Sequence, residues 1–346
     1  MDHPRSAFGA SPSRGRRHWT GRAGSTASAW LVPVVAAVLL AALPAALTPY
    51  THDLVVKISL YAIFALSLEL LVGMTGLVSL GHAAFLGIGA YTTVLLAGDA
   101  SSPPAVPLML AAMGAAALYA LFVGALSLRT KGVYFIMVTL AFAQMAYFVV
   151  HDTKLAGGSD GLFLYNKPTF SIAGHLLINL DDKRHVYAVV WGALVLTYAL
   201  LALVRRSRFG HALAGIRANE QRMRAAGYPT TAYKLAAFVL AGALAGLAGF
   251  LLAVKDGAVN PELLSWHESG GVLLMLILGG IGHLRGAVIG AIAFTLLKEL
   301  FQLESVLGPI AGHWQMTLGF TIIAFVALLP KGLIGLRARL VGARHG

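Results

Sequence analysis

Long apolar blocks separated by short polar or basic stretches make up most of this chain. Ten stand out, at residues 29–48, 54–73, 77–97, 107–128, 132–150, 186–204, 235–254, 270–282, 286–301 and 314–329. A helix needs about 20 apolar residues, at ~1.5 Å each, to cross a hydrocarbon layer ~30 Å thick, and most of these blocks qualify. The pattern predicts an all-α, polytopic membrane protein of about ten helices. Block 29–48 also fits the apolar region of a secretory leader, with 42–46 near a cleavage site and Arg16-Arg17 as a twin-arginine signal. Its length favours a span.

Two blocks are irregular. Residues 270–282 are too short to cross, and they end in Gly279, Gly280, Ile281 and Gly282 before His283 and Arg285. Block 77–97 is broken up by Gly81, Gly87 and Gly89. Non-helical backbone at membrane depth is tolerated only inside protein or beside a water-filled cavity. Overlaid, the two blocks share Gly81 with Gly282, His82 with His283, Gly89 with Gly290 and Ala90 with Ala291. A pair of interrupted segments in two halves is the pattern of a transporter core. In block 235–254, Ala237, Ala241, Ala245 and Gly249 recur every fourth residue beside Gly242 and Gly246, a row that permits close helix contact. Either packing within the subunit or contact with a second permease would use it.

Composition agrees with the pattern. Hydrophobic residues are 58% of the 346 and charged residues 12%, against about 25% charged in soluble chains. The net charge of +12 would suggest nucleic acid in a soluble protein, but here the cations are confined to a few loops. With the amino terminus inside, the tail to Arg22, Arg129 with Lys131, residues 205–234, Arg285 and the segment 331–346 all fall on one side, and they hold nineteen of the 26 Lys/Arg. Positive residues favour the cytoplasmic face, so ten spans with both termini cytoplasmic form a self-consistent arrangement. Residues 1–28, rich in Gly, Ser and Arg, read as a disordered basic tail, residues 29–330 as the membrane domain, and 331–346 as a second basic tail. The largest basic loop, 205–234, contains a proline-free stretch that predicts a short helix over 212–226, closed by Gly227 and Pro229. It offers a soluble partner a surface to push on.

Candidate chemistry is sparse. The chain has no cysteine, which excludes disulfides and thiol catalysis. No Walker motif follows the Gly279 to Gly282 cluster, no cofactor is implied, and the histidines are scattered without metal-ligand spacing. Energy must come from a gradient or another chain. Lys57, Lys298 and Glu299 lie near span ends, where long side chains snorkel. Glu69 is deeper, and an intramembrane acid is a functional candidate by default, either as a structural pairing group or as a contact for substrate or coupling. In the outer loop 151–185, Gly157, Gly158, Ser159, Asp160 and Gly161 read as turn chemistry, with Asp160 placed to bond main-chain amides; docking of an extracellular protein is the alternative. A membrane hydrolase built on Ser79 and His82 lacks a third partner.

Several ordered blocks carry a family resemblance: GLVSLGHAAFLGIGAY from Gly76, LRTKGVYFIMVTLAFAQ from Leu128, GGSDGL from Gly157, FGHALAGIRANE from Phe209, KLAAFVLAGALAGLAGFLLA from Lys234, LGGIGHLRGAVIGA from Leu278 and LPKGLIG from Leu329. Together they resemble the LivM-type permease subunits of branched-chain amino acid ABC importers, a family that includes permeases for urea, short-chain amides and other amino acids. The resemblance implies an inner-membrane subunit paired with a homologous second permease. It also implies two cytoplasmic ABC ATPases, a periplasmic substrate-binding protein, lipid as the surrounding medium and no nucleic acid. The family's ATPase-coupling pattern falls on Gly210, Ala212, Leu213, Ile216, Arg217, Asn219, Glu220 and Gly227. His211, Gly215 and the basic stretch 221–224 depart from it. Candidate translocation-path residues are Ser79, His82, Tyr91, Thr139, Gln144, Gly279, Gly280, Gly282 and His283. The expected mechanism has ATPase closure displacing the 212–226 helix. A gradient-driven secondary transporter is the alternative class, which the lack of a charge relay disfavours.

Overall fold

The computed structural model describes residues 48–98, 103–172, 175–303, 308–329 and 332–335. The apolar block 29–48 and both basic tails lie almost wholly outside these residues. The other nine blocks each become a helix or part of one. Among the described residues six helices are long and apolar enough to span a membrane, seven if one bent pair is counted as a span.

Helix α1 (Pro49–Glu69) is capped by Thr48, whose hydroxyl accepts from Thr51 N, and it runs into a π-helical turn at Leu70–Thr75 closed by Gly76 in the left-handed region. Helix α2 (His82–Ala97) is too short to span alone. Then come α3 (Ala105–Ser127), α4 (Val133–Asp152) and α5 (Lys183–Arg206). Two short helices, α6 (Arg208–Ala218) and α7 (Glu220–Ala225), occupy the basic loop before α8 (Thr230–Asp256). Helices α9 (Trp266–Gly279) and α10 (Leu284–Gln302) meet at 114°, and α11 (Trp314–Leu328) follows.

The core forms where α8 passes between α2 and α3. Its small-residue row is what lets the backbones approach. A Cβ on Gly246 would lie 2.6 Å from that of Ala116, one on Gly89 would lie 2.6 Å from Gly246 Cα, and one on Gly249 would lie 2.8 Å from Ala90 N. Ala112, Ala116 and Ala120 of α3 are fully buried against this row. The small residues therefore serve packing inside the subunit, not a partner interface. Phe85, Phe238 and Phe135 close the core with edge-on contacts.

The sheet content is small and lies at one end. Strand β1 (Leu162–Phe163) pairs antiparallel with β4 (Ala258–Val259), and β2 (Thr169–Ile172) with β3 (His175–Asn179). The loop 151–185 is thus partly a hairpin, which the sequence reading had missed. Its glycine turn is present, with Gly157, Gly158 and Gly161 all at positive φ. Asp160, however, accepts from the Ser159 hydroxyl at 3.2 Å and not from a main-chain amide. At this same end Lys57 pairs with Glu299 at 3.6 Å and Lys255 with Asp53 at 3.4 Å, and Tyr50 donates to Glu299 at 2.6 Å. The charges near the span ends are tied to one another across helices. Lys298 sits 5.4 Å from the Trp314 ring, a cation–π distance.

Candidate coupling junction and translocation residues

The opposite end carries the basic loops, and its geometry begins with Asn219. The loop is not the single helix over 212–226 that its composition predicts. Asn219 adopts an extended conformation between α6 and α7, and its side chain accepts from Arg222 N at 2.9 Å. Asparagine is a strong N-cap and a weak interior helix residue, so the chain stops and restarts there. Ser207 likewise caps α6, accepting from Gly210 N at 3.2 Å.

Each candidate coupling residue then has a definite place. Gly210, Ala212, Leu213 and Ile216 form the buried face of α6, turned toward the membrane domain, while Arg217, Asn219 and Gly227 are exposed. Glu220 is a clamp. Lys234 of α8 donates to one carboxylate oxygen at 2.5 Å, and Arg224 and the Thr230 hydroxyl donate to the other at 2.6 and 3.2 Å. Desolvation pushes the Glu220 carboxyl up, but Lys234 first, then Arg224 and Thr230, outweigh it and hold the group below its ordinary value.

Arg217 reaches furthest. Its guanidinium donates to the carbonyl of Gly73 in the π-helical turn. Its stem passes Gly76, where a Cβ would lie 3.3 Å from Arg217 Cγ, and its Nη1 would lie 3.8 Å from a Cβ on Gly282. Glu69, 2% exposed, accepts from Gly282 N at 2.8 Å through Oε1. Gly73 has no side chain because one would strike the Glu69 carboxylate. Gly280 and Gly282 have φ of 108° and 93°, values that L-residues other than glycine avoid. Gly332 packs on Gly279 and Gly280, so that a Cβ there would lie 2.6 Å from Gly280 Cα. The π-helical turn after α1, the α9–α10 bend, α6 and Gly332 thus meet in one junction. A cavity of about 340 Å3 opens beside it, lined by Glu69, Arg205, His211 and Arg217 among others.

The candidate path residues divide into groups. Ser79, His82 and Thr139 are closed off at the start of α2: Ser79 Oγ accepts from Gly81 N at 3.3 Å, His82 Nε2 contacts Ser67 Oγ at 2.8 Å, and the Thr139 hydroxyl donates to Ile136 O at 2.9 Å. The His82 ring is stacked on Phe64 and edge-on to Phe85. Tyr91 is buried and its hydroxyl has no hydrogen-bond partner among the described residues. Gln144 is half-buried on α4, and His283 is exposed at the α9–α10 bend. Gly279, Gly280 and Gly282 belong to the junction. Two residues that sequence reasoning missed hold the start of α2: Ser67 of α1, on His82, and Ser269 of α9, whose Oγ accepts from Ala83 N at 2.9 Å and so joins the two halves. Ser67 could have been signalled by its hydroxyl inside an apolar block; Ser269, beside Glu268 and Gly270, carries no such signal. The overlay of the two blocks matches the helix starts, His82 opening α2 and His283 immediately preceding α10.

A bundle of apolar helices with two interrupted segments, joined by a helical basic loop, defines a polytopic membrane permease. The chain belongs to the family described as the branched-chain amino acid transport system permease component, which its sequence matches over residues 50–329. Among curated proteins it is 29% identical over 335 residues to the high-affinity branched-chain amino acid transport system permease protein LivM of Escherichia coli K12, covering 90% of this chain and 76% of that protein. It is 24% identical over 302 residues to the LivH permease protein of the same organism, covering 80% of this chain and 92% of that one. A 128-residue stretch is 31% identical to the xylose permease protein XylH of that strain, over 35% of this chain and 32% of the relative. No solved structure matches the chain.

Proposed function

We propose that this chain is one permease subunit of an ATP-binding cassette importer in the bacterial inner membrane, forming half of a path for branched-chain amino acids. The observation that carries the reading is Arg217, which joins α6 directly to the π-helical turn after α1 and lies beside the α9–α10 bend at Gly282. A partner ATPase that moves α6 would act at once on both places where the membrane helices are broken. The similarity to LivM and to LivH, two permease proteins of one organism's branched-chain system, supports a homologous second permease as the other half. Two cytoplasmic ATPases at α6 and α7 and a substrate-binding protein at the 151–185 face complete the complex. Differential contact in two states, not the contact alone, would transmit the energy.

The test is uptake by proteoliposomes holding this chain, its paired permease and the ATPases, with the binding protein outside. ATP-dependent accumulation of labelled leucine, absent when the ATPases are omitted, is the expected result. Accumulation of urea, acetamide or xylose in place of leucine would reassign the substrate. Gradient-driven uptake by this chain alone would overturn the importer reading.

A further inference from the structure

The geometry points to Glu69 as a latch: its unfilled carboxylate oxygen is the second seat for an arginine of the coupling helices, and through it the position of α6 is passed to the bend between α9 and α10. The inference rests on the coupling reading above and deepens it. It starts from an imbalance. Glu69 is almost fully buried; Oε1 accepts from Gly282 N at 2.8 Å, and Oε2 is buried without a hydrogen-bond partner among the described residues. A carboxylate in such a place is costly unless both oxygens are satisfied. The cavity beside it is lined by Arg205, His211 and Arg217, groups able to satisfy one.

Arg217 is the candidate that can change seats. It now donates to the Gly73 carbonyl, one turn beyond Glu69; Gly76 leaves open the space its stem needs, and Gly73 the space the Glu69 carboxylate needs. Its two seats, a backbone carbonyl and a carboxylate, differ in charge, and a charge-assisted bond to the carboxylate is the stronger one. A shift of α6 that brings Arg217 from Gly73 to Glu69 draws on the carboxylate whose other oxygen holds Gly282. Gly280 and Gly282 flank Ile281 at positive φ, where glycine changes conformation at no steric cost to a side chain, so the bend is where that pull is absorbed. The π-helical turn at Leu70–Thr75 supplies the matching irregularity on the other side, and such turns recur at functional sites. Glu69 touches no substrate in this arrangement; it is a positioning residue.

The chain has no cysteine, so a single introduced thiol is the only one it carries, and labelling is read on this chain's band. In the complete importer, Ala218→Cys reports on α6 and Ile281→Cys on the bend, each read as the rate of thiol labelling with and without non-hydrolysable ATP. In the parent chain ATP is expected to change both rates by at least about threefold. Glu69→Gln keeps an acceptor for Gly282 N and removes the charge. There the Ala218→Cys rate still responds, the Ile281→Cys rate no longer does, and uptake per ATP hydrolysed falls about tenfold while ATP hydrolysis continues. Arg217→Gln, which keeps a donor for Gly73, is expected to give the same split, and it serves should Glu69→Gln fail to assemble. If Ile281→Cys responds in full in either variant, the latch is wrong although the lever stands. If Ala218→Cys is silent in the parent chain, the coupling reading itself falls.

Discussion

At the scale of single residues the junction is made of side chains whose roles differ from their sequence appearance. Glu220 sits in a family motif and looks like a contact for a partner, yet its carboxylate is occupied by Lys234, Arg224 and Thr230. It fastens the loop to the start of α8. Glu220→Ala should therefore loosen the loop by about 1.5–3 kcal/mol, the range for hydrogen bonds to charged groups, before it disturbs any partner. A spin label on Gln221→Cys would sharpen or broaden accordingly, and an unchanged spectrum would remove the clamp from the account. The same label gives the pH dependence. The Glu220 carboxyl is held below its ordinary 4.5, so the clamp contributes fully above about pH 4.5 and is lost as the pH falls through the lowered folded value. Label mobility should be flat from neutral pH down to about that point and rise below it; mobility that rises already near pH 6 contradicts the sign. Glu69 was legible as an exception, a lone acid deep in an apolar block. Its partner was not, because Gly282 N is a backbone group 213 residues away and backbone donors leave no trace in composition.

At the scale of elements the apolar blocks read through faithfully, because hydrophobic length alone sets a membrane helix. The breaks within them were harder. Asn219 divides the basic loop into α6 and α7 by capping, a signal hidden in a stretch otherwise favourable to helix. Asn219→Ala should cost about 1 kcal/mol of local helix stability and fray α7, seen as faster amide exchange over Glu220–Ala225 with α6 unchanged. The β2–β3 hairpin is hard to read from sequence although Thr169, Phe170, Ser171 and Ile172 alternate polar and apolar, since a two-residue period held over only four residues is weak beside twenty-residue blocks. The small-residue row of α8 shows how far a pattern reaches. Spacing predicted a close helix contact, and only the structure shows that α2 and α3 fill it. Gly249→Val would drive a side chain into the backbone at Leu86 and Ala90, which cannot swing aside. Overpacking usually costs about 1–3 kcal/mol, and here the upper end is expected, read as a lower unfolding temperature in detergent; an unaltered midpoint would mean the three helices part easily.

At the scale of the whole molecule, the contacts sort the helix ends into two groups. One end gathers the π-helical turn, α6 and α7, the α9–α10 bend and Gly332; the other gathers the two small sheets and the pairs of Lys57 with Glu299 and Lys255 with Asp53. The sequence had assigned the same two groups from charge alone, because lysine and arginine are retained on the cytoplasmic side during insertion. The agreement between an argument about loops and an independent one about contacts makes orientation the property most open to a decisive measurement. A thiol at Gln221 should be blocked by an impermeant reagent only from the cytoplasmic side, and one at Ser159 only from the periplasmic side, in spheroplasts and inverted vesicles carrying the complete importer. Neither residue is among the nearest neighbours of the junction's glycines, so labelling should report sidedness without disabling the complex. Should Gln221→Cys react from the periplasm, α6 and α7 would lie where no ATPase can reach them, and the basic loops would need a reason other than topology.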